Sequence, residues 1–364
     1  MRASSFAYLL VTSAVHAAIS PGTLVTISSA VDANSQSAWW NPLDEFSGYQ
    51  WLAYLRNPLE GSKLNHNVMV VRRAQSNGAI SRDCLKTTDG ECAEFVDDNG
   101  HNTPSIAVDG DGYVHVFTSM HNEPWNYFRS SSANSATLVD RSSEMPDPTL
   151  KVTYPVVKRD ADGNLWLIVR GQASDGVGRG GYFYKYTTSS KKWARISLWA
   201  YRKGYSVYPD DIQFSSDGDV HLQWEWAKFP ASAVRHEGSY LRYTPSSNKY
   251  RSASGATVTL PITQDTPDIV YQPLTSGESY DGDTGASPVP AFQSAKLALG
   301  SAWILERSGS TAWTNNELKP VAGKKVQRLQ AKMRSDGTDI LYLGAPKNVD
   351  AETGSLYFLT VGGR

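Results

Sequence analysis

Two His-Asn dipeptides, His101-Asn102 and His121-Asn122, stand ten residues before and ten after Asp111, in the turn Asp109-Gly-Asp-Gly112. The chain has only seven histidines, so two placed symmetrically about one turn mark a candidate site. Imidazole titrates near neutral pH and serves as base or acid. Tyr154 and Arg170 lie eight residues either side of Asp162, and Tyr208 and Glu225 flank the turn at Ser216-Asp217 in the same way. Arginine offers a planar two-pronged cation to a carboxylate. Tyrosine donates a proton or, once deprotonated, accepts one. This set suits β-elimination at a uronic acid. That reaction needs the sugar carboxylate neutralised, a base for the C5 proton and an acid for the departing O4. The candidate catalytic residues are His101, His121, Tyr154, Arg170 and Tyr208, with Asn102, Asn122 and Glu225 as substrate-binding partners.

Other chemistries lack their residues. There is no Gly-x-Ser-x-Gly elbow, and no His-Glu-x-x-His or Cys-x-x-Cys metal site. No carboxylate pair for glycoside hydrolysis stands out, with Glu225 and Asp210 or Asp211 only weakly placed. The run "GVGRGG" at 176–181 lies between strands and reads as a flexible loop. His115 and His221 occupy equivalent positions inside strands, where packing is the expected role.

The elements that must position these residues are strands. Helix signals are scarce. Short alternating runs such as "GYVHVFTS", "NLWLIVRG" and "DVHLQWEW" recur between Gly, Asp, Asn and Ser. Three segments align: "TPSIAVDGDGYVHVF" from Thr103, "YPVVKRDADGNLWLIV" from Tyr154 and "YPDDIQFSSDGDVHLQW" from Tyr208. Each has proline second, then a strand, Asp-Gly and a second strand. Asp111, Asp162 and Asp217 give a period of a little over fifty residues. Several strands per unit at this period predict a β-propeller. The expectation is an all-β chain forming a single seven-bladed β-propeller. The strand "TLVTISSAV" would complete the last blade beside "SLYFLTVGG". The hairpins would bring the His, Tyr, Arg and Glu residues to one end of the ring and the Asp-Gly turns to the other. Segments 131–150, 227–240 and 273–290 would be loops able to close that rim.

Residues 1–17 read as a signal peptide, with Arg2, an apolar stretch from Phe6 to Val15 and a small-x-small site ending at Ala17. Residues 18–364 form the expected catalytic domain. The product is expected to be secreted and monomeric. No stretch is long enough to span a bilayer. A net charge of −1 argues against a nucleic-acid partner. Cys84 and Cys92 bracket a short turn and read as a disulfide in an oxidising compartment. The 11 Trp and 19 Tyr suit either a β core or sugar stacking.

The segments "GYQWLAYL", "MVVRRAQSNG" and "HNTPSIAVDGDGYVHVFTSMHNEPWNYFRS" resemble the secreted BNR-type seven-bladed propeller polysaccharide lyases. That group includes ulvan lyases and fungal rhamnose–glucuronate lyases acting on gum arabic side chains. The resemblance is strongest over residues 48–245. It implies a uronic-acid-containing polysaccharide as partner and cleavage of a rhamnosyl-α-1,4-glucuronate linkage. It implies His101 and His121 as the base and its partner, in either order. Arg170 would neutralise the carboxylate, and Tyr154 and Tyr208 would orient the sugar or share proton transfer. It implies no cofactor or catalytic metal. A structural Ca2+ found in some relatives has no ligand cluster here to place it. An ulvan lyase, an α-L-rhamnosidase at the same linkage and a non-catalytic sugar-binding propeller are the alternatives.

Overall fold

A computed structural model describes residues 24–32, 41–56, 65–96, 103–230, 236–264, 269–271, 295–298, 301–306, 314–318, 324–334, 337–346 and 353–361. Among these the only helix is a single 3-10 turn, Ser142–Glu144. Everything else regular is strand.

The chain begins with β1 (Val25–Asp32). One antiparallel sheet follows, of β2 (Leu43–Phe46), β3 (Tyr49–Leu55), β5 (Val68–Ala74) and β6 (Ile80–Cys84). The short β4 (Asn65–His66) pairs with β7 (Phe95–Val96). The next sheet holds β8 (Ser105–Val108), β9 (Val114–Phe117), β11 (Tyr127–Ser130) and β12 (Leu138–Asp140). Between them β10 (His121–Glu123) leaves this unit to pair with β13 (Val152–Arg159), which opens the third sheet with β14 (Leu165–Gln172), β15 (Arg179–Thr187) and β16 (Lys192–Ala200). A single parallel bridge, Arg179 of β15 to Ser206, joins this sheet to the next four strands, which are counted as a fourth: β17 (Tyr205–Phe214), β18 (Val220–Lys228), β19 (His236–Thr244) and β20 (Lys249–Arg251), with β21 (Ile269–Tyr271) beside β19. A fifth contains β22 (Ala295–Ala298), β23 (Ser301–Glu306) and β24 (Thr314–Leu318). The last is β25 (Lys324–Arg334), β26 (Gly337–Pro346) and β27 (Thr353–Val361), with β1 hydrogen-bonded along β27. The first strand of one sheet lies beside the first strand of the next: β25 by β2, β2 by β8, β8 by β13 and β13 by β17.

Six such sheets are described, one fewer than the seven expected from the period. Of the stretch where another would lie, between β20 and β22, residues 265–268 and 272–294 fall outside the described residues. In the first four sheets the inner strands bury both faces, so they read as near-continuous apolar runs. On β14, Leu165, Leu167 and Val169 pack toward the second sheet with Phe117, Tyr127 and Trp193. Trp166 and Ile168 point the other way, into a core with Ile212, Leu222 and Trp224 of the fourth sheet.

The repeat hairpins share one turn. Gly112, Gly163 and Gly218 have φ of +85°, +84° and +84°, a region a side chain enters only with strain. Each glycine N–H donates to the carbonyl three residues back, at Asp109, Asp160 or Ser215. The acid that holds the first two turns is that residue, not the Asp of the Asp-Gly pair. Asp109 Oδ1 accepts the backbone N–H groups of Asp111 and Tyr113, and Asp160 Oδ1 accepts that of Asn164. The other carboxylate oxygen is met by the residue six positions on: His115 Nε2 lies 3.2 Å from Asp109 Oδ2, and Trp166 Nε1 donates to Asp160 Oδ2 at 2.7 Å. A ring nitrogen recurs at this position because a buried carboxylate needs a donor. Cys84 and Cys92 form the expected disulfide, with Cα atoms 5.6 Å apart.

Candidate functional site

Alternation along β14 carries Arg170 onto the face shared with the fourth sheet. There it is 2% exposed. Its guanidinium carbon sits 4.4 Å from the ring centre of Tyr154 and 4.9 Å from that of Tyr208. The two rings are 5.5 Å apart and pack with Ala227. Three residues spread over some fifty positions thus meet as one cation held between two aromatic faces.

A β-bulge makes this possible. Thr153 pairs with Arg170 and Val156 with Ile168, so two residues, Tyr154 and Pro155, stand opposite Val169. Tyr154 takes up the extra length at φ +58°, a conformation that costs a non-glycine residue of order 1 kcal/mol. Proline suits the bulge at Pro155 because it has no N–H to give the ladder. β17 also carries a register slip, but further along: Tyr208 and Pro209 stay paired with Glu225 and Trp224, and Asp210 is the extra residue before Asp211. Tyr208 pairs directly with Glu225, which is half-buried.

His121 reaches the cluster by a different route from the one the hairpin symmetry predicts. It does not extend β9 but lies on the separate strand β10, opposite Thr153. Thr153 therefore stands between His121 and Arg170 on adjacent strands. Burial pushes the His121 ring down to about 4, and the positive charges of Arg170 and Arg179 push it the same way. The imidazole is neutral at neutral pH. Asn122 follows at φ +59°; its backbone N–H donates to Thr153 Oγ1, and its side-chain oxygen accepts the Thr153 hydroxyl at 3.4 Å. These contacts fix the strand that carries His121. His101 and Asn102 lie outside the described residues.

Arg179 is the residue that sequence reading missed. The "GVGRGG" run is not a free loop through its second half: Arg179, Gly180 and Gly181 open β15. A Cβ on Gly181 would come within 2.3 Å of the Trp199 ring, and one on Gly180 within 2.6 Å of Leu198. The glycines are there for close packing. Continuing the alternation of "YFYKYT" backward would have found the strand. The rim segments also differ from the loops expected. Residues 131–150 contain β12 and the 3-10 turn. In 227–240 the described residues are the end of β18, Phe229 and Pro230 after it, and the start of β19. Residues 273–290 lie outside the described residues. Asp211 is engaged by Lys158 Nζ at 2.5 Å. His115 is fully buried against Tyr127, Tyr186 and Trp193, and His221 Nδ1 meets the Tyr240 hydroxyl at 2.5 Å.

The cluster joins a neutral imidazole, a buried guanidinium and two phenols. It can bind an anion, take a proton from a carbon beside it, and offer hydroxyl donors. Among the described residues no three His, Cys, Asp or Glu side chains gather as metal ligands, so no residue is assigned to a calcium ion. No helix among them is long and apolar enough to cross a membrane.

Solved structures with this architecture include the polysaccharide lyase Uly1, similar over 94% of this chain and 99% of its own, with a TM-score of 0.68 and 13% identity. An ulvan lyase of family PL25 bound to -[GlcA(1-4)Rha3S]- is similar over 89% of this chain and 84% of its own, with a TM-score of 0.53 and 11% identity. Identities this low carry the fold, an all-β propeller. No curated protein matches the sequence. The pattern of the BNR repeat-containing family covers residues 49–287, from β3 through the fourth sheet and beyond. Over that stretch lie the repeated turns and bulges described above, and the chain belongs to the BNR repeat-containing family.

Proposed function

We propose that the protein is a secreted polysaccharide lyase that cleaves a rhamnosyl-α-1,4-glucuronate linkage by β-elimination. One observation carries the reading: Arg170 is a buried cation that forms no ion pair among the described residues, and across β13 from it, with Thr153 between, lies a neutral imidazole. An uncompensated buried charge is costly, and a substrate carboxylate would offset it. With the uronate on Arg170, His121 takes the C5 proton. The electron pair moves into the C4–C5 bond, the C4–O4 bond breaks, and O4 receives a proton. In a glucuronate ring H5 and O4 lie on the same face, so the imidazolium or a neighbouring tyrosine hydroxyl can return it. The guanidinium stabilises the charge that grows on the carboxylate as the proton leaves. His101 is the second histidine of the proposal. The lyases among similar folds support the reaction class, and the GlcA–Rha3S ligand of one makes ulvan the first polymer to try beside gum arabic. Secretion rests on the N-terminal residues alone.

The test is incubation with each polymer while following ultraviolet absorbance. The lyase creates a double bond conjugated to the carboxylate, and absorbance grows. Free rhamnose without absorbance means a hydrolase. Binding of either polymer with no product at all means a sugar-binding propeller.

A further inference from the structure

Arg170 pairs with Gly181 in the β14–β15 ladder, and Arg179 lies two residues before Gly181 on the same strand. Period-two alternation sends both arginines to one face, as diagonal neighbours within reach of long side chains. Gly181, opposite Arg170 on that face, carries no side chain of its own, and the Trp199 ring packs over it. Neither guanidinium has a carboxylate within ion-pair distance among the described residues, and the buried Nε of each lacks a hydrogen-bond partner. Arg179 Nη1 donates to the Pro230 carbonyl, and its guanidinium lies 5.3 Å from the Phe229 ring centre. These contacts aim the arm but leave its charge uncompensated. Like charges side by side are unfavourable unless an anion joins them.

We propose that Arg170 and Arg179 form a guanidinium pair that takes the substrate carboxylate, and that filling this pair switches His121 into a stronger base. The proposal rests on the uronate reading above. Burial first, and then the two arginines, suppress proton affinity at His121, and burial and Arg170 likewise lower that of Arg179. A bound carboxylate cancels that field, so the imidazole gains basicity only with substrate in place. Of the other charged groups around His121, Glu123 at the end of β10 is exposed, and Glu225 sits across from Tyr208 on the fourth sheet.

Calorimetry with sodium D-glucuronate and its methyl ester, and the nuclear magnetic resonance titration of the His121 ring, test this in wild type, Arg179→Gln and Arg179→Lys. Wild type should bind glucuronate and not the ester, and saturation should raise the His121 midpoint. Arg179→Gln should weaken glucuronate binding about 10-fold or more. Its free His121 midpoint should rise by roughly half a pH unit and respond little to glucuronate. Arg179→Lys should restore the low midpoint. Equal binding of acid and ester, no glucuronate binding, or an unmoved His121 midpoint in Arg179→Gln would each overturn the pair. An arm that only braces Phe229 and Pro230 would lower thermal stability and leave the titration alone. If these results hold but no unsaturated uronate ever forms, the lyase reading fails and the guanidinium pair stands.

Discussion

At the residue scale the site is an argument about charge. Arg170 is held by rings rather than by acids, and His121 is held neutral by burial and by cations. If His121 is the base, kcat/KM on a glucuronate polymer stays level as pH falls through the ordinary histidine range. It then drops with an apparent pKa near 4, because the free enzyme must keep the ring unprotonated. A drop centred near 6.5 would assign the base elsewhere. His121→Gln should cut kcat by about 100- to 10,000-fold while leaving affinity for the polymer nearly intact. Arg170→Lys keeps the charge but loses the two-pronged geometry, so KM should rise by about 10-fold or more.

At the element scale the turn and the bulge do the positioning. Asp109 is wholly buried and accepts two backbone N–H groups besides facing His115. Asp109→Ala should destabilise by about 3 kcal/mol, and Asp109→Asn by less, since an acceptor oxygen remains. Urea unfolding of the two variants measures the difference. Gly181→Ala drives a methyl into Trp199 and should cost about 1–3 kcal/mol, read as a lower Tm. These elements also mark where sequence was informative. Tyr154, Arg170 and Tyr208 were legible because Tyr-Pro and the Asp-Gly turn repeat together, which fixes both ends of each hairpin. The path of His121 was not, because residues 118–120 turn the chain out of its own sheet and a hairpin argument cannot see that exit. Arg179 was hidden by glycines whose packing partners, Leu198 and Trp199, lie on the next strand.

At the scale of the molecule, a repeat near fifty residues was enough to predict a propeller, since each unit buries its faces only against its neighbours. Blade number was not legible in the same way, because the period thins out after β20 where the repeated turn no longer recurs clearly. Several histidines are kept neutral by the fold: His115, His121 and His221 all lie below the ordinary 6.5, chiefly through burial. The unfolded chain protonates these rings first as pH falls. Stability is therefore fully present above about pH 6.5 and declines from there toward the lowered values. Urea midpoints should be flat between about pH 7 and 8 and fall by about pH 5, although carboxylates are still ionised there.

The reaction is tested most directly by digesting gum arabic and ulvan in water enriched in heavy oxygen and weighing the products. β-Elimination breaks the C4–O4 bond without adding water. The account predicts an unsaturated uronate one water lighter than a hydrolysis product, with no heavy oxygen at either new end. A saturated uronate and a rhamnose end carrying heavy oxygen would contradict it.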